Sequence, residues 1–246
     1  MKKMRFFTCG LLLLSVASWS ISSCHKSSGA SVGPVSLNVI NAMPTSQPII
    51  PVLSVANLSQ WFANASPIGF GNSSLYSPLS GSDTMLVAQQ TDTAGPKPIW
   101  LFGGVLHLSA GGIYSFFLSG DSTKTDTMLV VDNIPYYTDS SAGVRFVNLM
   151  PASQPITINI TGNTASQVEF GPLGYRTISA FKKYLANSTV QGSSYSFDIR
   201  DQASGNVLTT FTWSYTFGKN NTLVVYGSED PTSPLGAPQV FQTNNF

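Results

Sequence analysis

Histidine and glutamate, two side chains that often serve as general bases, are scarce in this sequence. A serine or cysteine nucleophile normally needs a histidine beside it, and the chain has two, His25 and His107. His107 lies in the alternating segment Val105–Leu108, where we expect its ring to point to solvent. Glycoside hydrolysis needs two facing carboxylates, but the only glutamates, Glu169 and Glu229, lie beside predicted strand ends. We therefore expect no enzyme, with a hydrolase as a remote alternative.

The sequence is also poor in patterns for metals and phosphates. Zinc prefers cysteine and histidine ligands, which the chain hardly offers. Asp121 and Asp126 bracket a polar hairpin loop that is conceivable as a calcium site, but Lys124 between them opposes a cation. Asp198 and Asp201 are more simply explained as a turn with a local arginine partner. No glycine pair continues into a Walker or Rossmann pattern, so we expect no metal and no cofactor.

Three tryptophans are candidates for stacking on a ligand. An indole face can bind the apolar side of a pyranose ring. Trp213 alternates with Tyr215 and Phe217, which predicts a place in the core. Trp61 and Trp100 lie in irregular stretches of the first half of the chain, where binding loops concentrate. These two are the candidate sugar-stacking residues, although structural packing is the simpler role for each.

Asp-Ser and Asp-Thr pairs are unusually frequent for a chain with nine aspartates. Some envelope-dwelling bacteria attach O-glycans where such a pair precedes a small or aliphatic residue or threonine. Thr84 and Thr127 begin apolar strand runs, so Thr93 and Ser122 are the better acceptors. The alternative is that these pairs are favoured turn chemistry, since short polar side chains bond to their own backbone. The four pairs that precede Met, Ala or Thr are Asp83-Thr84, Asp92-Thr93, Asp121-Ser122 and Asp126-Thr127.

The first 23 residues are typical of an export signal. Three cations in Met1–Arg5 precede an apolar run, Phe6–Ala17, that is short for a transmembrane helix. The next motif, Ile21-Ser22-Ser23-Cys24, resembles the lipobox of bacterial lipoproteins. That resemblance implies cleavage before Cys24 and attachment of lipid to its thiol. The only other cysteine, Cys9, leaves with the signal, so no unpaired thiol remains to be explained.

Composition restricts the partners of the mature chain. Loss of residues 1–23 leaves nine cations against eleven anions, a net charge of −2, so nothing favours nucleic-acid binding. Residues 24–34 comprise the lipidated cysteine and a Gly/Ser-rich stretch, which predicts a flexible tether. Lipid at Cys24 makes the membrane the first expected partner.

An internal repeat organises the remainder. Residues 37–49 (LNVINAMPTSQPI) and 144–156 (VRFVNLMPASQPI) are identical at seven of thirteen positions, at an offset of 107. The segment 116–120 matches 223–227 at the same offset. We therefore predict two homologous domains, at residues 35–139 and 142–246.

Each repeat shows short alternating segments, which predict strands with one polar face. The glycine-containing turns 218–221 and 110–112 are interpreted as hairpin turns. Ile178, Phe181 and Leu185 share helical spacing, as do Leu58, Trp61 and Phe62, so one short helix per repeat is possible. The predicted fold is all-β: two tandem antiparallel immunoglobulin-like β-sandwich domains after a lipoprotein signal peptide.

Four segments of the second repeat together resemble the domain-of-unknown-function 4397 family of envelope lipoproteins from Gram-negative bacteria. The resemblance spans nearly all of the mature chain and is weaker in the first repeat, which departs at 51–77 and 96–104. It implies a sandwich fold and residence in the cell envelope, and it carries over no catalytic residue. The segments are Val144–Pro151, Phe170-Gly171 with Tyr175, Gly192–Phe197 and Leu223–Gly227.

These observations predict a membrane-anchored envelope lipoprotein, most readily of a Gram-negative outer membrane, with a non-enzymatic binding or structural interaction role. The partner is a glycan or another envelope protein. The alternative is a carbohydrate-recognition accessory lipoprotein that uses Trp61 and Trp100.

Overall fold

The computed structural model describes residues 32–44, 46–53, 65–90, 98–187 and 194–245. These residues form strands and turns without any helix, so the prediction of an all-β sandwich is confirmed. No helix among them is long and apolar enough to cross a bilayer. The strands are β1 (Ser36–Asn41), β2 (Ile49–Val52), β3 (Ser73–Tyr76), β4 (Gly81–Gln89), β5 (Ile99–Leu108), β6 (Ile113–Gly120), β7 (Thr125–Val131), β8 (Ser141–Asn148), β9 (Ile156–Ile160), β10 (Phe170–Leu173), β11 (Thr177–Ile178), β12 (Lys182–Leu185), β13 (Ser194–Asp201), β14 (Val207–Ser214), β15 (Asn220–Tyr226) and β16 (Gln239–Asn245).

The first seven strands form two sheets, with orders β2-β4-β5 and β3-β1-β6-β7. Alternation along the strands points one face of each sheet toward the other. Leu37 and Val39 of β1 and Phe116 of β6 thereby meet Met85 and Val87 of β4 in one apolar core. The second face of the β2-β4-β5 sheet points away from this core.

The remaining strands repeat this topology. Their sheets have the orders β10-β9-β13-β14 and β11-β8-β15-β16, with β12 also paired to β8. The core between them contains Phe146, Phe197 and Trp213. One strand pair in each half is parallel, β1 with β6 and β8 with β15, so the sheets are not wholly antiparallel as predicted. Between the two strands of each parallel pair, the chain forms strands of the other sheet and then returns to the same end of the first sheet.

The central strands of the inner sheets, β1 and β6 in the first half and β8 and β15 in the second, are buried on both faces. Ile40 and Phe117 pack in one apolar cluster with Val147, Leu149 and Val224 of the second half. The prediction of one polar face per sheet is therefore wrong for the inner sheets. The two halves share an apolar interface, and β8 begins one residue before the predicted boundary.

Polar contacts cross the same interface. Arg145 Nη2 donates to Asp132 Oδ1 at 2.7 Å, and the two side chains are only 4% and 2% exposed. Tyr175 Oη donates to Asp126 Oδ2 at 2.7 Å, and burial raises the pKa of Tyr175 to about 12. The halves are therefore joined by directional bonds as well as by apolar burial.

The motif repeated at residues 41–44 and 148–151 has a structural cause. Asn41 and Asn148 are both fully buried. Their amide nitrogens donate to Ile68 O and Leu173 O, and their Oδ1 atoms accept the backbone N–H of the residue two positions on, at 2.9–3.0 Å. Each asparagine thus satisfies backbone groups where the chain leaves the first strand of its half, because buried backbone polar groups need partners.

Two local predictions were wrong. The turns predicted at 110–112 and 218–221 are not hairpin turns, because the strands that they connect, β5 with β6 and β14 with β15, belong to different sheets. No helix forms at residues 178–185 either: Ile178 pairs with Val147, and β12 pairs with β8. Ile178 packs on the interface cluster while Leu185 is exposed, so the helical spacing does not mark one face. Pairing with β8 satisfies the backbone groups that a helix would have satisfied internally.

Candidate functional site

The structure describes two of the five predicted site residues, Trp100 and Ser122. Cys24, Trp61 and Thr93 lie outside the described residues, as do Leu58 and Phe62 of the predicted first-repeat helix. Ser122 is exposed in the β6–β7 turn, which the Asp121 carboxylate holds by accepting from the Thr123 and Lys124 backbone. That contact pattern matches favoured turn chemistry, and it leaves the Ser122 side chain at the surface.

Trp100 belongs to strand β5, which corrects its predicted place in a loop. Where β4 pairs with β5, Val87 lies opposite Phe102, and the next residue, Ala88, lies opposite Trp100. Leu101 therefore has no partner on β4 and is an extra residue, a β-bulge. Leu101 and Phe102 both pack against the core of the first half. The bulge consequently turns Trp100 to the outer face of the sheet, where it is 43% exposed.

Trp100 is one end of a continuous surface that we call the β4–β5 strip. Register and alternation place every second residue of β4 on this face, each opposite a residue of β5. Ile50, Val52 and Ala88 also point to this side but are buried, so the accessible part follows β4 and β5. The strip consists of Ser82, Thr84, Leu86, Trp100, Gly103, Val105 and His107.

The opposite end of the strip is a hydrogen-bonded pair. Ser82 Oγ lies 2.8 Å from His107 Nδ1, and His107 is exposed, as predicted. This contact orients the imidazole, so its second ring nitrogen is offered as a donor or an acceptor, depending on the tautomer. The sequence did not identify Ser82 as a partner, because the two residues lie 25 positions apart and only the β4–β5 register brings them together.

A serine beside a histidine also raises the question of nucleophilic catalysis. A catalytic pair needs a base whose ring is oriented by a third group, in a site that binds the reacting atoms. The contacts of His107 within the described ranges include no carboxylate. The pair lies on an exposed sheet surface, so its geometry suits binding better than hydrolysis.

The carboxylates that could do acid–base chemistry have structural contacts. Lys182 Nζ and Tyr184 Oη both donate to Glu169 Oε2, and the hydrogen bond from Lys182 lowers the pKa of Glu169. Burial raises the pKa of Glu229. Asp198 accepts from Arg200 Nη2 at 2.9 Å, as its sequence neighbourhood predicted.

Metal-binding groups are not assembled in the described part of the chain. No group of three or more His, Cys, Asp or Glu side chains lies close enough there to hold a metal ion.

Trp213 is fully buried in the core, as predicted, and its Nε1 donates to Asn221 Oδ1 at 2.9 Å. It therefore cannot stack on a ligand.

A separate pocket of about 380 Å³ lies where the two halves meet, and sequence reasoning missed it. Val130 and Val131 line it from the first half, and Arg145, Ile178 and Phe181 line it from the second. The Arg145 guanidinium lies 4.4 Å from the centre of the Phe181 ring, a cation–π contact. Since Arg145 already pairs with Asp132, we interpret this pocket as a margin of the interface.

Comparison with known proteins gives only weak structural likenesses. No family model matches the chain, and no curated protein matches it. One similar solved structure is a family 26 carbohydrate-binding module from Eubacterium rectale in complex with maltoheptaose, with 12% identity, coverage of 85% of this chain and 97% of that chain, and a TM-score of 0.23. Another is a streptococcal virulence factor described as binding alpha-glucan, with 10% identity, coverage of 84% and 95%, and a TM-score of 0.24. Because both TM-scores are low, neither likeness carries an argument about function.

Proposed function

We propose that this chain is a non-enzymatic carbohydrate-binding protein whose binding surface is the β4–β5 strip. One observation carries the proposal: a bulge in β5 turns the Trp100 indole outward at the end of a strip that also presents two hydroxyls and an imidazole.

The chemistry of the strip suits a sugar. A pyranose ring presents an apolar face of C–H groups and a rim of hydroxyls. The indole of Trp100 supplies an apolar surface for the ring face. The Ser82 and Thr84 hydroxyls and the His107 ring supply groups that both donate and accept, as sugar hydroxyls do.

We also propose that the protein is anchored to a bacterial envelope membrane, most readily the outer membrane of a Gram-negative bacterium. The support comes from the sequence: a cationic segment, a short apolar segment and Ile21-Ser22-Ser23-Cys24 in that order. More than one acyl chain at Cys24 would hold the chain firmly, since each buried methylene contributes roughly 0.8 kcal/mol.

Trp100→Ala tests the carbohydrate site. The variant should lose at least about tenfold in affinity for any glycan that the unlipidated mature chain binds on a glycan array, because the stacking surface is removed. Phe217→Ala is the matched control, since Phe217 is an aromatic side chain 59% exposed outside the strip. An unchanged Trp100→Ala profile, or no binding to any glycan, would contradict the proposal and leave a protein partner as the better explanation.

Cys24→Ser tests the anchor. Without a thiol to alkylate, the variant should retain its signal or leave the membrane, and it should no longer partition into detergent phase as a processed protein. Cys9→Ser is the control, because it removes a thiol that the mature chain does not keep. A Cys24→Ser protein that is processed and still partitions into detergent would overturn the anchor.

A further inference from the structure

We infer that the ligand is an uncharged oligosaccharide that lies lengthwise along β5, from Trp100 to the Ser82–His107 pair. This inference rests on the proposed function and specifies its ligand. It makes His107 a residue that determines preference for chain length.

The length of the strip is the first reason. Trp100 and His107 are seven residues apart on one strand, with one bulge between them, which corresponds to roughly 20 Å. A monosaccharide stacked on the indole is too short to reach the imidazole at that distance. A chain of several sugars contacts both ends at once, so that the second contact adds affinity to the first.

The surface between the two ends is the second reason. Gly103 is exposed and has no side chain, so β5 contributes no side chain to the strip between Trp100 and Val105. A Cβ at Gly103 would lie 3.2 Å from Leu86 Cδ2, so the Leu86 side chain extends toward the position that a side chain would occupy. Thr84 and Val105 lie side by side, one polar and one apolar. An extended chain can therefore follow the strip by passing over Leu86.

The charge of the strip is the third reason. None of its members is Asp, Glu, Lys or Arg, and His107 is its one titratable group. Asp83 lies between two strip residues but is paired with Leu106, which points to the core, so Asp83 belongs to the opposite face. A uronic acid or sulfated sugar would lose water around its charge without gaining an ionic partner. Neutral sugars avoid that cost.

The test measures affinity against chain length by titration calorimetry on the mature chain. The probes are neutral gluco- and manno-oligosaccharides from monosaccharide upward, with oligogalacturonates as charged counterparts. Affinity should rise with length until the ligand spans the strip and then level off, and the oligogalacturonates should bind more weakly than neutral chains of equal length. His107→Ala should weaken long chains by roughly three- to tenfold and leave the shortest bound ligand unaffected. Trp100→Ala should weaken every ligand.

Two further variants complete the design. Gly103→Val places a strand-favouring side chain in the middle of the strip and should remove the benefit of length without unfolding the sheet. Thr212→Ala, an exposed hydroxyl on β14, should change nothing. Three results would each contradict a neutral ligand that lies along β5: equal affinity for monosaccharides and long chains, stronger binding of oligogalacturonates, or full binding of long chains by His107→Ala. Each of these results would still be compatible with a sugar site at Trp100. Loss of all carbohydrate binding would instead overturn the proposed function.

Discussion

At the scale of single residues, the interface between the halves contains a buried ion pair, Arg145 with Asp132. Asp132 also accepts from Ser115 Oγ at 2.7 Å, and Arg145 Nε donates to Thr222 Oγ1 at 2.8 Å. Asp132→Ala should lower the free energy of unfolding by about 3–5 kcal/mol, because the Arg145 charge would remain buried without its partner. Urea unfolding followed by circular dichroism measures the loss.

Two variants make that prediction specific. The double variant Arg145→Met with Asp132→Leu should recover most of the lost stability, since apolar residues can replace a buried ion pair. Asp139→Asn breaks the solvent-exposed pair with Lys183 and should cost far less, because water screens exposed charges. A single Asp132→Ala variant as stable as Asp139→Asn would mean that the pair contributes nothing.

The residue types of the candidate site were predictable, whereas their arrangement was not. The proline- and glycine-containing stretch around Trp100 and the alternation around His107 are visible in the sequence. The bulge at Leu101 and the Ser82–His107 contact depend on how two strands align, and that register arises from packing of the whole sheet. For the same reason, no local pattern links Asp132 to Arg145.

At the scale of elements, the repeat predicted more than the alternation did. Gly120 is the last residue of β6 and Gly227 directly follows the equivalent strand β15, with φ of 82° and 101°. A Cβ there would lie 2.3 Å from Lys124 O and 2.4 Å from Ala237 O, so the glycine repeated at an offset of 107 is a backbone requirement. Alternation predicts a strand with only one buried face. The apolar run Leu223–Tyr226 instead indicates a strand that is buried on both faces. The parallel pairing of β8 with β15 joins distant segments, which local patterns do not specify.

At the scale of the whole molecule, the interface between the halves decides how independent they are. Each half has its own apolar core between its two sheets, which favours separate folding, as the repeat predicts. The interface cluster adds a cost to separation, because Val147, Leu149 and Val224 would become exposed in an isolated second half. Residues Val32–Phe246 accordingly form one compact unit that includes both halves.

The second half alone, residues 141–246, should therefore fold but self-associate. Its core residues Phe146, Phe197 and Trp213 need nothing from the first half, so amide exchange should show protected strands β13 and β15. Sedimentation should show association that rises with concentration, because the uncovered face of β8 and β15 is apolar. Val147→Ser with Val224→Ser should make this fragment monomeric, and the same pair should destabilise residues 32–246, where both side chains are buried against the first half. A fragment without protected amides would show that the halves fold only together. A fragment that stays monomeric without the substitutions would show that the exposed face of β8 and β15 is stable in water.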